Sequence, residues 1–165
     1  MNSLTRTLRQ LADEYVEQLK ADLGDALVSA VLFGSVARGD ATPYSDIDLF
    51  IVIHDLPKGR IARLDTVRSA DKRIETRLNG LRALGVYSDV CPILKTSEEA
   101  SRVRPLYLDF VEDAIILHDR DGFFADILRR LKRRLKELGS VRRQMGNIRY
   151  WELKPDYRPG EIFEI

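Results

Sequence analysis

Residues 31–53 read Val-Leu-Phe-Gly-Ser-Val-Ala-Arg-Gly-Asp-Ala-Thr-Pro-Tyr-Ser-Asp-Ile-Asp-Leu-Phe-Ile-Val-Ile. An apolar run ends at Gly34-Ser35, a short polar loop follows, and a second apolar run opens with Asp46 and Asp48. Alternation along a strand places these carboxylates on one face, although Asp is disfavoured in strands and like charges repel. A divalent cation with oxygen ligands is the simplest group that would hold them together.

Apolar runs predict three strands. The first covers Leu27–Phe33 and is apolar on both sides, which is typical of a central strand. The second covers Asp46–Ile53, and the connection before it is too short for a crossover helix, so the two strands should be antiparallel neighbours. Val86–Leu94 is interpreted as a third strand that carries Asp89.

Apolar residues at helical spacing predict three long helices. The first begins at a Ser3 cap and ends at Gly24, the second spans 61–84 and ends at Gly85, and the last spans 124–138 and ends at Gly139. Shorter elements follow the third strand: a helical turn from Thr96 or Ser97, a helix that opens at Pro105, and a short strand at Ile115–Leu117.

Length and composition limit how the chain is organised. With 165 residues it can form one packed core, so we expect a domain over 1–139 and a tail over 140–165 that docks on the core or on a partner. A formal charge of +1 excludes an overall basic field for capturing nucleic acid. No apolar stretch is long enough to span a bilayer, so we expect a cytoplasmic protein without membrane contact.

Cys91 is the single cysteine and lies inside an apolar run. One cysteine excludes an intramolecular disulfide and a multi-cysteine zinc site. The prediction for Cys91 is a small buried side chain.

The junction at Gly34-Ser35 has the properties of a phosphate site. It offers main-chain N–H groups, a hydroxyl and no side chain to block close approach. Asp46 and Asp48 could coordinate Mg²⁺ that bridges the phosphate. Asp89 could complete a site for two ions or, as a lone Asp in a strand, pair with an arginine. Such a site supports in-line displacement at the α-phosphorus of an NTP, with pyrophosphate as the leaving group.

Two basic features have alternative interpretations. Arg38 could bind the triphosphate through its guanidinium group or pair with Asp40. The basic helix 129–136 carries an apolar stripe, which favours a solvated outer face. Together with the arginines of the tail, the same helix could instead guide RNA or an acidic partner.

The central pattern resembles that of a known family. Gly34-Ser35, ten residues and then Asp46-Ile-Asp48 resemble the signature of the DNA polymerase beta-like nucleotidyltransferase superfamily. Gly-Ser-Val-Ala-Arg-Gly followed by Ser-Asp-Ile-Asp-Leu is similar to its minimal branch, which includes stand-alone archaeal proteins and antitoxins of toxin–antitoxin pairs. The resemblance implies an α+β, palm-like fold whose mixed sheet has helices packed mainly on one face. It also implies an NTP donor, ATP above all, and Mg²⁺ as cofactor.

Two functions from different classes follow from this resemblance. The first is an enzyme that transfers a nucleoside monophosphate from NTP to an acceptor hydroxyl and releases pyrophosphate. AMP is the expected group, and a partner protein encoded nearby is the expected acceptor. The second is an antitoxin-like subunit that sequesters a helical partner. The intact Asp46 and Asp48, with Asp89 as a further candidate, favour the enzyme, because a nucleotide site that had lost its activity would have no physical reason to keep like charges together. The acceptor and the oligomeric state stay open.

Overall fold

The computed structural model describes residues 2–146 and 148–165. Its helices are α1 (Ser3–Leu23), α2 (Gly34–Arg38), α3 (Arg60–Ala83), α4 (Ser97–Ala100), α5 (Pro105–Asp113) and α6 (Phe123–Glu137). Its strands are β1 (Leu27–Phe33), β2 (Ile47–Ile53), β3 (Val90–Lys95), β4 (Ile115–Asp119), β5 (Val141–Met145) and β6 (Ile148–Glu152). None of the helices in these two ranges is long and apolar enough to cross a membrane.

β1 and β2 form the centre of a four-stranded sheet with the order β3-β2-β1-β4. They are antiparallel, as their short connection predicted, and Phe33 lies opposite Asp48. β3 runs parallel to β2, and β4 runs antiparallel to β1, so the sheet is mixed. The predicted α+β class is confirmed.

The third strand begins later than predicted, so Asp89 precedes β3 rather than lying within it. The Tyr87 N–H donates to the Pro43 carbonyl oxygen at 2.7 Å, which ties the segment before β3 to the loop before β2. The Asp89 carbonyl oxygen accepts from the Ile47 N–H at 2.8 Å, and this bond sets the start of the parallel register.

Side chains of the central strands alternate between two apolar clusters, one on each face of the sheet. Leu32 and Ile51 pack with α1 and α3, whereas Val31 and Phe50 pack with α5 and α6. The resemblance implied helices mainly on one face of the sheet, and the two longest helices do share one face. The opposite face is also covered, because strands that are apolar on both sides need a partner layer on each.

α1 shows how the sequence places a helix start to within one residue. The side-chain oxygen of Asn2 accepts from the Thr5 N–H at 2.7 Å, so Asn2 is the cap and the predicted Ser3 cap is wrong by one position. Asn2 has extended backbone geometry, which a cap requires, while Ser3 is already helical. Gly24 ends the helix as predicted.

The C-terminal segment contains a hairpin that the sequence pattern did not predict. β5 and β6 pair antiparallel, with Arg142 opposite Trp151. Trp151 and Leu153 pack against the α5–α6 cluster, and Arg142 forms an ion pair with Asp113 at 2.5 Å. Polar residues dominate β5, so apolar alternation is too weak there to indicate a strand. The boundary between 1–139 and 140–165 stays a prediction.

Candidate active site

Asp46 lies one residue before β2 and Asp48 is the second residue of that strand, so the predicted strand began one residue too early and the predicted carboxylate pair is present. Asp48 is half-buried. Its pKa is raised above the usual range, first by burial and then by the charge of Asp46, while the Arg38 guanidinium acts in the opposite direction. The structure thus brings Asp46, Asp48 and Arg38 close enough to influence one another. Such a concentration of negative charge favours a bound cation.

Gly34 occupies a position that only glycine fits. Its φ is +72°, in the left-handed region. A Cβ atom there would overlap a carboxylate oxygen of Asp48 and lie 3.1 Å from its carboxyl carbon. The antiparallel pairing of Phe33 with Asp48 creates this close contact, because it sets the end of β1 against the start of β2. The glycine therefore lets the loop after β1 lie directly on the Asp48 carboxylate.

α2 begins at Gly34, directly after β1, and carries Ser35 and Arg38. The Ser35 carbonyl oxygen accepts from the N–H groups of Gly39 and Asp40 at 3.0 and 3.1 Å, so the turn closes on itself. Arg38 pairs with Asp40 through Nε at 3.3 Å and is partly exposed. The alternative of an Arg38–Asp40 pair is therefore present, and the Arg38 charge still acts on Asp48.

Arg9 of α1 bonds the main chain of α2. Its Nε donates to the Val36 carbonyl oxygen at 3.0 Å, and Nη2 donates to the Ala37 carbonyl oxygen. Carbonyl groups in the last turn of a helix lack partners within that helix, so the guanidinium group satisfies them. Sequence reasoning missed Arg9, because a separation of 27 residues carries no local signal.

Asp89 approaches the carboxylate pair through its backbone. Its N–H donates to Asp46 Oδ1 at 3.0 Å. Its own carboxylate forms an ion pair with Arg82 and is 65% exposed. Among residues 2–146 and 148–165, no three His, Cys, Asp or Glu side chains converge closely enough to hold a metal ion. The structure therefore brings Asp46 and Asp48 together and leaves the Asp89 side chain directed at Arg82.

Cys91 borders the same site, opposite Asp48 on β3. It is exposed, so the prediction of a buried side chain is wrong. The physical reason is that β3 is an edge strand, which an apolar run alone does not reveal. Partial burial, followed by the charge of Asp46, raises the pKa of the thiol to about 11. Cys91 is therefore protonated at neutral pH and a weak nucleophile.

Two tyrosines lie two residues before Asp46 and Asp89 in the chain and were not singled out from the sequence. The rings of Tyr44 and Tyr87 stack with centroids 5.9 Å apart and an interplanar angle of 8°. They are 76% and 57% exposed, respectively. The pair joins the loop that precedes Asp46 to the segment that precedes Asp89.

The comparisons with known proteins agree with this geometry. The family model of the nucleotidyltransferase domain matches residues 12–119, which is more than half of the chain. The chain belongs to the nucleotidyltransferase family. This match confirms the resemblance drawn from the glycine–serine and aspartate motifs, and it identifies an enzyme of the transferase class.

A curated relative extends the assignment. This nucleotidyltransferase is 33% identical over 138 residues to a candidate protein adenylyltransferase of Methanocaldococcus jannaschii, a match that covers 82% of this chain and 88% of the relative. The likeness therefore spans most of both proteins.

Solved structures of similar shape include a chain from a toxin–antitoxin complex with AMP-PNP. It has a TM-score of 0.47 and 20% identity, and the match covers 77% of this chain and 92% of that one. Another comes from a complex of tri-AMPylated HEPN toxin of Shewanella oneidensis with MNT antitoxin. Its TM-score is 0.40 with 18% identity, over 79% of this chain and 92% of that one. The family assignment rests on the family model and the curated relative.

Proposed function

We propose that this nucleotidyltransferase transfers AMP from ATP to a hydroxyl group of a protein acceptor and releases pyrophosphate. The observation that carries the proposal is the contact of Gly34 with Asp48 beside Asp46, which sets a loop suited to phosphate against a pair of carboxylates. The name of the curated relative, a protein adenylyltransferase, supports AMP as the transferred group and a protein as the acceptor.

Gly34, Ser35 and Arg38 would bind the triphosphate of the donor. Gly34 lets the phosphates approach the main chain, the Ser35 hydroxyl can donate a hydrogen bond, and the Arg38 guanidinium supplies positive charge. Binding would draw Arg38 away from Asp40, an exposed pair that is weak in water. Arg9 would keep α2 in position while the donor binds.

The carboxylates fit a divalent cation such as Mg²⁺, because both offer oxygen ligands. Burial, and then the charge of Asp46, raises the pKa of Asp48, and a bound cation would offset that charge. Asp46 and Asp48 would hold the ion or ions, and Asp89 would join them by leaving Arg82. All three are the proposed catalytic residues. When bound, Mg²⁺ would neutralise charge on the triphosphate and lower the pKa of the acceptor hydroxyl.

The proposed reaction is a single in-line displacement. The acceptor oxygen forms a bond to the α-phosphorus, and the bond from that phosphorus to the bridging oxygen of the β-phosphate breaks. The acceptor hydroxyl releases its proton to water, and pyrophosphate leaves. Water has access to this side of the site, because Asp89 and Cys91 are exposed. The residues of this chain contribute by holding donor and acceptor in line.

A labelling experiment tests this function directly. Transfer is measured with ATP labelled at the α- or the γ-phosphate, using the proteins encoded beside this chain as acceptors. We expect only the α-label to enter protein, whereas a kinase would transfer the γ-label. In parallel, MgATP should raise the thermal midpoint, because a ligand that binds the native state stabilises it.

Asp48→Asn should abolish both the transfer and the MgATP-dependent shift. Asp65→Asn is the matched control, because Asp65 is an exposed aspartate of α3 that pairs with Arg68, three residues along the same helix. Equal shifts in wild type and Asp48→Asn would contradict the assignment. A wild-type chain that binds MgATP and transfers nothing would favour the antitoxin-like subunit that sequesters a partner.

A further inference from the structure

An open groove of about 920 Å³ runs along the outer edge of β3. Asp48 and Phe33 line one end, and the first turn of α3 forms the outer wall. The sheet order makes β3 an edge strand, so no further strand of the four-stranded sheet covers this side. The groove therefore leads from solvent to one of the two paired carboxylates.

Alternate main-chain groups of β3 face the groove, and one of them, the Leu94 carbonyl oxygen, accepts from Arg63 Nη1 at 3.4 Å. Main-chain groups of alternate residues in a strand point to opposite sides. The Asp89 carbonyl oxygen accepts from the Ile47 N–H, so Asp89, Cys91 and every second residue after them bond to β2. Val90 and Pro92 therefore direct their main-chain groups outward. Pro92 has no N–H, which suits an edge position. An extended polypeptide is the ligand that such an edge recognises.

Charges are distributed unequally along the groove. Arg63 is neutralised by Glu99, with guanidinium–carboxylate distances of 2.7 and 3.0 Å. Arg60 and Lys95 also line the groove, and neither forms an ion pair in the described part of the chain, although the Lys95 charge helps to lower the pKa of Glu99. Lys95 lies four residues beyond Cys91, the neighbour of Asp48. This separation is about 13 Å along a strand. The end remote from Asp48 is thus positively charged.

The order of the strands indicates which of the two substrates, donor or acceptor, binds in the groove. Gly34 follows β1 and lies on Asp48 from the β1 side, whereas Asp89 and Cys91 lie on the β3 side. In an in-line displacement, the attacking and leaving oxygens occupy opposite sides of the phosphorus. With pyrophosphate leaving near Gly34 and Ser35, the acceptor must approach from the β3 side, where the groove ends.

We propose that this groove binds the acceptor as an extended, acidic polypeptide segment. Its hydroxyl residue lies at the Asp48 end, and an Asp or Glu about four residues away contacts Arg60 and Lys95. The inference rests on the proposed transfer of AMP to a protein, and it adds the recognition rule for that protein.

A peptide library tests the rule. Each peptide carries one Tyr, Ser or Thr at a fixed position and varied residues around it, and AMP incorporation is read by mass spectrometry. For wild type we expect Asp or Glu about four residues from the hydroxyl to raise labelling about threefold to tenfold, the effect of partly exposed ion pairs. The double variant Arg60→Glu, Lys95→Glu should reverse the preference to Lys or Arg.

The matched control is Lys72→Glu, Arg73→Glu, which changes the net charge equally at exposed positions of α3 outside the groove. It should keep the acidic preference. The thermal midpoint of each variant is measured to show that it folds. Labelling without a charge preference, or a preference that the groove variant does not change, would overturn the proposal.

A second measurement locates the donor without any acceptor. Lys95→Cys in a Cys91→Ser background has a single thiol in the groove, which reacts with N-ethylmaleimide. We expect MgATP to raise the thermal midpoint of this variant and to leave the rate of thiol modification unchanged. Protection by MgATP of tenfold or more would place the donor in the groove and overturn the proposal. If MgATP does not stabilise wild type either, the proposed function itself fails.

Discussion

The two sides of the Asp46–Asp48 pair are built differently. On the β1 side, Gly34 leaves no space for a side chain against Asp48, and Arg9 bonds the last turn of α2. On the β3 side, the Asp89 side chain is 65% exposed and Cys91 is exposed. The β1 side is held by close packing and main-chain bonds, whereas the β3 side depends on an exposed ion pair.

This difference matches the two substrates of a transferase. The nucleotide donor is the same for every acceptor, so a preorganised site can bind it. Such a site loses little conformational entropy when the donor binds. A macromolecular acceptor needs open surface, and the β3 side provides it. Variants on the β1 side should therefore change donor binding, and variants on the β3 side should change transfer.

We expect Asp89→Asn to show the largest difference between an effect on donor binding and an effect on transfer. The MgATP-dependent shift in thermal midpoint should persist, while transfer of labelled AMP falls on the order of 10²- to 10⁴-fold, the range for losing an activating group. Arg82→Met is the control, because it removes the ion-pair partner and keeps the carboxylate. It should transfer AMP at least as well as wild type. Equal transfer by Asp89→Asn would remove Asp89 from the site.

On the β1 side, Gly34→Ala should cost more stability than Gly122→Ala. Both glycines have left-handed φ values, +72° and +69°, but only the Cβ at position 34 would meet the Asp48 carboxylate. We expect Gly122→Ala to cost about 1 kcal/mol, because alanine is strained there. Gly34→Ala should cost about 2–4 kcal/mol and lose the MgATP response, because overlap adds to the strain. Urea denaturation measures both values, and equal costs would contradict the close contact.

Arg9→Met should weaken donor binding through α2. Loss of two hydrogen bonds to the helix end should raise the KM for ATP about tenfold, with a smaller change in kcat. Arg77→Met is the matched control, because Arg77 also joins two helices, from α3 to Glu14 of α1 at 2.6 Å, and its partner is not in α2. Arg9→Lys keeps the charge and one donor, so it should restore part of the affinity. A change in thermal midpoint with an unaltered KM would assign Arg9 a structural role alone.

The smallest expected effect concerns the Arg63–Glu99 pair in the groove wall. Its hydrogen bonds from Arg63 lower the pKa of Glu99 from 4.5 to about 2. A lowered folded-state pKa stabilises the native state above the unfolded value, and this stability is lost as pH falls from 4.5 toward 2. Because the pair is partly exposed, the loss should be under about 1 kcal/mol. The free energy of unfolding of wild type and of Glu99→Gln is measured at pH 7 and at pH 2.5. The advantage of wild type over the variant should shrink by that amount at the lower pH. An advantage that is the same at both pH values would contradict the lowered pKa.

The β1 side was largely predictable from the sequence. Its parts are close along the chain, and the short connection between Phe33 and Asp48 leaves few ways to arrange them. The β3 side was not, because Asp89, Arg82 and Cys91 meet Asp46 and Asp48 only through the parallel pairing of β2 with β3. A periodic pattern indicates that a strand exists but not whether it lies at an edge, which explains the wrong prediction for Cys91.

By itself, the sequence determined the antiparallel β1–β2 unit and membership of the nucleotidyltransferase family. These features depend on residues within one short stretch, where chain connectivity limits the geometry. Tertiary structure alone decided that Arg9 supports α2, that Asp89 turns to Arg82, and that an open groove runs along β3. These contacts join residues far apart in the chain, and the packing of helices on both faces of the sheet sets them.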